Sequence, residues 1–421
     1  MKVNTEKERT SLRLMAFLAN SGRVDAVYQQ MASYPQYFES FLHVQHYILQ
    51  MDGPLPLQYR HYIAMMAAAR HHCGYLVSLH SAQFLKVGGD PQWLKGLDSA
   101  PLRLQHLDQL NKVLAHQPWL TARSHIQALL KMGEQCWSLA ELVQAVVLLA
   151  HCHSLSSFVF GSGPDSDPPL RASNGTPPGY SLSDAANGNV SAPTPVATPP
   201  EHNTRRRRSL GSDCDMVRLK ERGSKPQEER ESRGESLIHT QTLQHTDEED
   251  EEEMMSSADP TRFITDPEFG YQEFARREED RFQVFWVQDY SWDDHGFSLV
   301  NRLYSDIGHK LDERFRRVMD LPSSHSPDLK RAIWNYIHCM LGIRCDDYNY
   351  GEINKWLVKD LKLYIKSVAC YPDATKPHRC PLPWSPLQPS DTIHVNLLIM
   401  EARLQAELLY ALRAITQYMI A

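Results

Sequence analysis

Cys73, Tyr75 and His80 are the residues of the first half of the chain whose types and spacing could carry redox or nucleophilic chemistry. Cys73 and His80 are seven residues apart, so on a helix they share a face but lie about 10 Å apart along the axis. That separation is too long for a direct thiolate–imidazole hydrogen bond, and a proton would need water or another side chain in between. The basic residues 70–72 would favour the thiolate. On spacing alone the competing interpretation is favoured, in which Cys73 is a small buried apolar residue and His80 a hydrogen-bonded core histidine.

The sequence contains many histidines and cysteines but no standard metal-binding spacing. Residues such as His61, His72, Cys73 and His80 belong to neither an HExxH motif nor a pair of CxxC motifs. The motifs GxSxG, GxxxxGK and GxGxxG are also absent, which excludes the usual serine elbow and glycine-rich phosphate loops. We therefore expect neither a metal nor a cofactor.

Composition divides the 421 residues into two apolar flanks and a polar middle. Residues 164–260 hold 11 of the 26 prolines, a single aromatic residue, a basic run at Arg205–Arg208 and an acidic run at Asp247–Glu253. Such a segment cannot bury enough apolar surface to offset the entropy cost of ordering its backbone. We therefore predict a helical domain over residues 1–162, a disordered linker over 163–262 and a second helical domain over 263–421.

Helical periodicity dominates both flanks, and strand-like alternation is scarce. Apolar residues recur at helical spacing through Leu57–Leu85, and Ser138 with Glu141 forms a capping box before the apolar run Leu142–Ala150. The amphipathic segments of the second half are Ser298–Met319, Pro327–Leu341, Glu352–Ser367 and His394–Met419. These features predict an all-α protein.

Charge and hydropathy predict the cellular setting. The net charge of −7 argues against nucleic-acid binding, which requires a basic face. The run Leu142–Ala150 is far shorter than the roughly 20 apolar residues that span a bilayer, and the charged N-terminus is a poor secretory signal. We expect a cytoplasmic protein. Arg205–Arg208 is either a solvated charge run, which we favour, or a nuclear-import patch, which leaves the nucleus as a second location.

Four long stretches of this chain closely resemble the sestrin family. They are AAARHHCGYLVSLHSAQFLKVGGDPQWL, CWSLAELVQAVVLLAHCHSLSSFVFG, RAIWNYIHCMLGIRCDDYNYGEIN and HVNLLIMEARLQAELLYALRAIT. The resemblance covers roughly residues 1–160 and 264–421. It implies two helical domains related by pseudo-symmetry, each similar to the alkylhydroperoxidase AhpD, joined by a disordered linker.

The resemblance assigns a catalytic role to the cysteine motif of the first half. AhpD-type enzymes carry C-x-Y-C-x-x-x-H, and Cys73, Tyr75 and His80 match three of those positions. Leu76 replaces the second cysteine, and His61 stands where the family has an upstream glutamate. A thiol peroxidase needs a second thiol to resolve its sulfenic acid, so Cys73 would depend on an outside reductant.

The resemblance also implies a leucine pocket in the second half. The residues that match it are Ser326, Leu329, Lys330, Trp384, Asp391 and His394. Lys330 takes the place of the family's carboxylate-binding arginine, Asp391 that of the ammonium-binding acid, and Ser326 that of a threonine in a longer lid loop. Lysine lacks the bidentate fork of arginine, and aspartate is one methylene shorter than glutamate. The alternative for Lys330, Asp391 and Trp384 is an ordinary surface ion pair and a core aromatic ring.

Family members bind the GATOR subcomplex 2 through a serine and a pair of aspartates, which Ser138, Asp346 and Asp347 match here. From the residues alone, Ser138 is a helix cap and the aspartates form a solvated turn; both roles are compatible with partner binding. The resemblance thus implies a cytosolic stress and leucine sensor that binds GATOR subcomplex 2 and negatively regulates TOR complex 1. Its alternatives are a cysteine-dependent alkyl hydroperoxide reductase and a helical adaptor without either activity.

Overall fold

The computed structural model of the chain describes residues 26–131, 133–162, 259–273, 285–322, 326–345, 350–373 and 389–420. Its helices are α1 (Ala26–Met31), α2 (Pro35–Leu49), α3 (Leu57–Ala69), α4 (Gly74–Lys86), α5 (Leu102–His116), α6 (Arg123–Leu130), α7 (Leu139–Ser162), α8 (Phe297–Leu303), α9 (Ile307–Met319), α10 (Pro327–Met340), α11 (Tyr350–Trp356), α12 (Lys359–Cys370) and α13 (Pro389–Met419). Two short strands, β1 (Phe285–Trp286) and β2 (Ile343–Arg344), pair in parallel. The prediction of an all-α fold is confirmed. The AhpD-like pseudo-symmetry stays a prediction.

Short turns of other helical types connect these elements. They are the 3₁₀ turns Pro91–Lys95, Leu97–Ser99, Pro118–Leu120, Gly133–Gln135 and Pro260–Phe263, and the π-helical turn Trp292–Gly296. Asp90 caps the first of them by accepting a hydrogen bond from the amide of Gln92. The sequence predicts a helix at this position, and the structure has a single 3₁₀ segment that ends at Gly96, whose φ is +152°.

The long helices α7 and α13 pack against each other at the centre of the fold. The apolar run Leu142–Ala150 lies within α7, which is buried from Leu142 to Val159. By length and hydropathy, α7 is long and apolar enough to span a membrane. Its apolar stretch is completely buried inside the protein, as in the core helix of a globular domain. The capping box is present, with the Glu141 amide donating to Ser138 Oγ over 3.2 Å and the Ser138 amide donating to Glu141 Oε2 over 2.8 Å.

Helices from the two halves of the sequence pack into one compact unit that comprises residues 1–169 and 247–421. Besides the α7–α13 contact, α9 of the second half packs against α2 of the first. Most of the predicted linker lies outside the described residues. Its described end, Asp259–Arg262, belongs to the 3₁₀ turn that packs against α3. The domain boundaries stay a prediction.

Glu401 of α13 forms a buried ion pair with Arg314 of α9. Arg314 Nε donates to Glu401 Oε1 over 2.6 Å, and both side chains are fully buried. The hydroxyl of Tyr37 on α2 donates to the same carboxylate oxygen, and Arg314 Nη1 donates to His151 Nδ1 on α7 over 3.0 Å. Burial raises the pKa of Glu401, and the guanidinium opposes that shift. The group therefore joins helices of both halves through charged atoms that water does not reach.

Arg403 of α13 forms a second buried group. Its Nε donates to Glu407 over 2.7 Å, and its Nη2 donates to His71 Nε2 over 2.8 Å. His153 Nδ1 lies 2.7 Å from the other oxygen of Glu407. Arg403 also donates to the carbonyls of Ala115 on α5 and Ala369 on α12, each over 2.7 Å. The guanidinium of Arg403 thus connects α13 to α5, to α12 and to the turn at His71.

We expect Glu401→Leu to lower the free energy of unfolding by about 3–5 kcal/mol, because Arg314 would keep a buried charge without its partner. Glu401→Leu combined with Arg314→Met should recover most of the loss, since both charges are then gone. Urea unfolding followed by circular dichroism measures both variants. Glu313→Gln breaks a half-exposed pair with Arg317 and serves as the control, with an effect under about 1 kcal/mol. A double variant less stable than Glu401→Leu would contradict this account.

Candidate functional site

Cys73 lies in the tight turn between α3 and α4 and is the N-cap residue of α4. Its amide donates to the carbonyl of Ala68 over 3.0 Å, which fixes the turn to the end of α3. The side chain is 1% exposed. The N-terminus of a helix favours a thiolate through its positive dipole end, whereas burial favours the neutral thiol. A reagent can reach the sulfur only if the turn moves.

His80 is buried on α4 and pairs with a histidine of α3. The Nδ1 atoms of His80 and His61 are 3.3 Å apart, so one ring must donate and the other accept. Burial lowers the pKa of His80 to about 3 and that of His61 to about 4. Both rings are therefore neutral near pH 7. The sequence placed His61 at the upstream glutamate position of the family motif but gave no sign of this pairing.

Tyr75 is partly exposed on α4, but its hydroxyl oxygen is buried. Within the described part of the chain this oxygen has no hydrogen-bond partner. This buried hydroxyl could therefore still donate or accept one hydrogen bond.

A second buried thiol, Cys152, comes from α7. Burial and, after it, the negative charge of a Cys73 thiolate raise its pKa to about 12, so the two thiols lie within electrostatic reach of each other. Leu76, at the position of the family's second cysteine, is a buried apolar residue. Cys152 was not singled out from the sequence, because a cysteine within an apolar helix is normally a core residue. A thiol with so high a pKa is a poor nucleophile near pH 7.

Lys330 of the predicted leucine pocket is in the first turn of α10, and its ammonium group reaches the C-terminal end of α9. It is 7% exposed, and its Nζ donates to the carbonyls of Met319 over 2.9 Å and Leu321 over 2.7 Å. Burial lowers the pKa of Lys330, while the charge of Asp320 opposes that shift. A cation at a helix C-terminus stabilises the unpaired carbonyls there. Lys330 is therefore a buried residue and not part of a surface ion pair.

Asp391 and His394 occupy the first turns of α13 and are also buried. His394 Nε2 is 3.3 Å from the carbonyl of Val318, near the same end of α9 that Lys330 caps. The rings of His394 and Tyr34 are 5.9 Å apart, and after burial the charge of Asp391 is the second cause that raises the pKa of Tyr34. The end of α9 thus brings Lys330 and His394 close together, and Asp391 lies one helical turn from His394.

Ser326 is the N-cap residue of α10, one turn before Lys330, and Leu329 directly precedes Lys330 in the same helix. Ser326 Oγ accepts a hydrogen bond from the Leu329 amide over 3.2 Å, so this hydroxyl is a helix cap in the structure. Ser138 is likewise an exposed cap, and its partner Glu141 forms an ion pair with Arg103 over 2.8 Å. Trp384, Asp346 and Asp347 lie outside the described residues.

No group of three or more histidine, cysteine, aspartate or glutamate side chains is arranged to hold a metal ion in the described ranges.

Comparison with known proteins identifies the family. The model of the family described as PA26 p53-induced protein (sestrin) matches residues 1–419. Sestrin-3 of Mus musculus is 48% identical over 453 residues, covering 100% of this chain and 90% of that protein. Sestrin-2 of Homo sapiens is 48% identical over 416 residues, covering 96% of this chain and 85% of that protein. Sestrin-1 of Macaca fascicularis is 45% identical over 441 residues, covering 100% and 88%. With matches along both flanks and through the Cys73 and Lys330 segments, this chain belongs to the sestrin family.

Proposed function

We propose that this sestrin is a cytoplasmic stress and leucine sensor that binds GATOR subcomplex 2 and thereby restrains TOR complex 1. The observation that carries the sensing part is the buried ammonium group of Lys330. A lysine Nζ has three N–H donors, and the carbonyls of Met319 and Leu321 take two of them. Among the described residues the third donor has no partner, so it can donate to a ligand carboxylate, which the positive charge of the ammonium would also attract.

The surroundings of Lys330 suit the rest of an amino acid. Asp391 supplies a buried negative charge on α13 for the ligand ammonium, and Leu329 supplies a partly buried apolar side chain next to Lys330. Because these charges are shielded from water, each would interact more strongly with a ligand charge than an exposed pair would. A small zwitterion with an apolar side chain matches this combination, and leucine is the ligand that the family resemblance implies.

Calorimetry of leucine with the purified chain tests the pocket. The wild-type chain should release heat, and Asp391→Ala and Lys330→Met should each abolish it, because either change leaves one ligand charge without its partner. Lys330→Met keeps an apolar chain of similar length, which limits damage to the end of α9. The matched control is Lys366→Met on α12, whose partner Glu273 is part of no predicted pocket. A wild-type chain that gives no heat at millimolar leucine would refute the sensor proposal.

Capture of purified GATOR subcomplex 2 tests the regulatory part. Asp346→Ala combined with Asp347→Ala should lose the complex, because two adjacent acids following a helix can supply charge to a basic partner surface. The matched control is Asp293→Ala with Asp294→Ala, an adjacent pair of exposed acids elsewhere in the chain. Ser138→Ala should lower the free energy of unfolding by about 1 kcal/mol, because the helix cap is lost. Its binding is therefore compared with wild type under conditions where the same fraction of each protein is folded. Undiminished capture by the Asp346 and Asp347 double variant would refute the interface assignment.

A second candidate function is hydroperoxide reduction by Cys73. The observation that favours it is the position of Cys73 at the N-cap of α4, near a second buried thiol and on the helix that carries His80. The thiolate would attack the terminal oxygen of the hydroperoxide, form a sulfenic acid and release the alcohol. An added thiol would then displace water from the sulfenic acid and form a mixed disulfide, which a further thiol reduces.

Cys73→Ser is therefore expected to abolish thiol-dependent peroxide consumption, because serine cannot form the sulfenic acid. Peroxide loss in a dye assay, with and without added thiol, measures this. Cys136→Ser and Cys152→Ser should keep the activity, since we assign the resolving step to the external thiol. Equal peroxide consumption by wild type and Cys73→Ser would refute the hydroperoxide reductase function. It would not bear on the sensing function.

A further inference from the structure

His72, the residue immediately before Cys73, has a backbone conformation that residues other than glycine rarely adopt. His72 has a φ of +50°, in the left-handed region. Its amide donates to the carbonyl of Ala69, and its own carbonyl accepts from Gly74, each over 3.0 Å. The turn that carries Cys73 is therefore strained and is held in place by contacts with its surroundings.

One of those contacts reaches the second half of the chain. His72 Nδ1 lies 3.1 Å from Asp373 Oδ2, just after the end of α12. The two side chains are 39% and 41% exposed, so protons from water reach them freely. On the inner side of the same turn, His71 accepts a hydrogen bond from Arg403. The turn is thus fixed from inside by a permanent cation and from outside by a group that can titrate.

Three carboxylates act electrostatically on His72: Asp373, which follows α12, and Asp259 and Glu268 of the described segment 259–273. The hydrogen bond to Asp373 is the largest cause that raises the pKa of His72, and burial opposes it. His71, its neighbour on the turn, stays neutral because burial and Arg403 lower its pKa. Because the folded-state pKa of His72 is raised, the charged His72–Asp373 contact contributes its full stability below about pH 6.5. That contribution is lost as the pH rises through the folded-state pKa of His72.

We propose that the His72–Asp373 contact is a clasp that keeps Cys73 buried in mildly acidic conditions and releases it as the pH rises. When the clasp opens, the left-handed backbone of His72 can relax, and the turn exposes a sulfur that is otherwise 1% accessible. The proposal concerns regulation of the Cys73 site and so rests on the second candidate function. Its test uses thiol alkylation, which does not require Cys73 to be catalytic.

The experiment follows the alkylation rate of Cys73 by N-ethylmaleimide in the full chain, resolved by mass spectrometry. The exposed Cys136 in the same molecule corrects for the intrinsic pH dependence of thiols. At pH 6 we expect Asp373→Asn to react at Cys73 several-fold faster than wild type, with the two rates converging by pH 8.5. A charge effect is separated by His72→Asn, which removes the cation and keeps the Asp373 carboxylate, so charge alone would raise the thiol pKa and slow alkylation at pH 6.

Two further variants keep the test decisive. Asparagine tolerates the left-handed conformation but cannot titrate. In His72→Asn, the alkylation rate of Cys73 divided by that of Cys136 should therefore no longer change with pH. Glu313→Gln removes a distant exposed carboxylate and should behave as wild type. Equal Cys73 rates in wild type and Asp373→Asn at pH 6 would overturn the clasp. Peroxide consumption measured on the same samples reports separately whether Cys73 is a catalyst.

Discussion

Buried charge on α13 is the constraint on which the rest of the structure depends. Glu401, Arg403 and Glu407 are ionisable groups in the middle of a helical core, and each is almost completely inaccessible to water. Removing such charges from water is costly, and only close, hydrogen-bonded partners compensate for it. The partners come from both halves of the sequence, so α13 cannot keep its place unless α7 and α9 keep theirs.

The same contacts position both candidate sites. Arg314, which pairs with Glu401, lies one turn before the end of α9, where Lys330 and His394 meet. Arg403 donates to His71, two residues before Cys73. The end of α9 and the thiol turn are therefore attached to α13 through Glu401 and Arg403, two residues apart on the helix. A change in how α13 packs would reach both candidate sites.

Patterns of apolar residues and caps were enough to predict that both flanks are helical. They did not reveal that Leu57–Leu85 and Ser298–Met319 each divide into two helices, nor did they reveal these contacts. The capping box at Ser138 and the apolar run that became α7 are local signals, because they depend on residues a few positions apart. Glu401, Arg403 and Glu407 look like solvent-facing residues to any periodicity analysis, since, apart from the Arg403–Glu407 pair itself, their partners lie far away in the chain. The pairing of His61 with His80 joins two helices across a turn, and spacing along one helix cannot reveal it. Lys330 was expected to match an arginine position, and its hydrogen bonds to the end of α9 depend on a helix packing that the sequence does not encode locally.

The chemistry around Cys73 supports a conditional role better than rapid turnover. An efficient thiol peroxidase presents an accessible thiolate beside a reactive second thiol. Here the first thiol is buried, Leu76 occupies the usual second position, and the neighbouring Cys152 has a pKa near 12. Each of these features slows a catalytic cycle, whereas none hinders a protein that reacts once and then signals. The proposed leucine site has no such requirement, because binding a zwitterion needs only two fixed charges and an apolar wall. A regulatory binding protein with an occasional redox response is therefore the function that these residues support best.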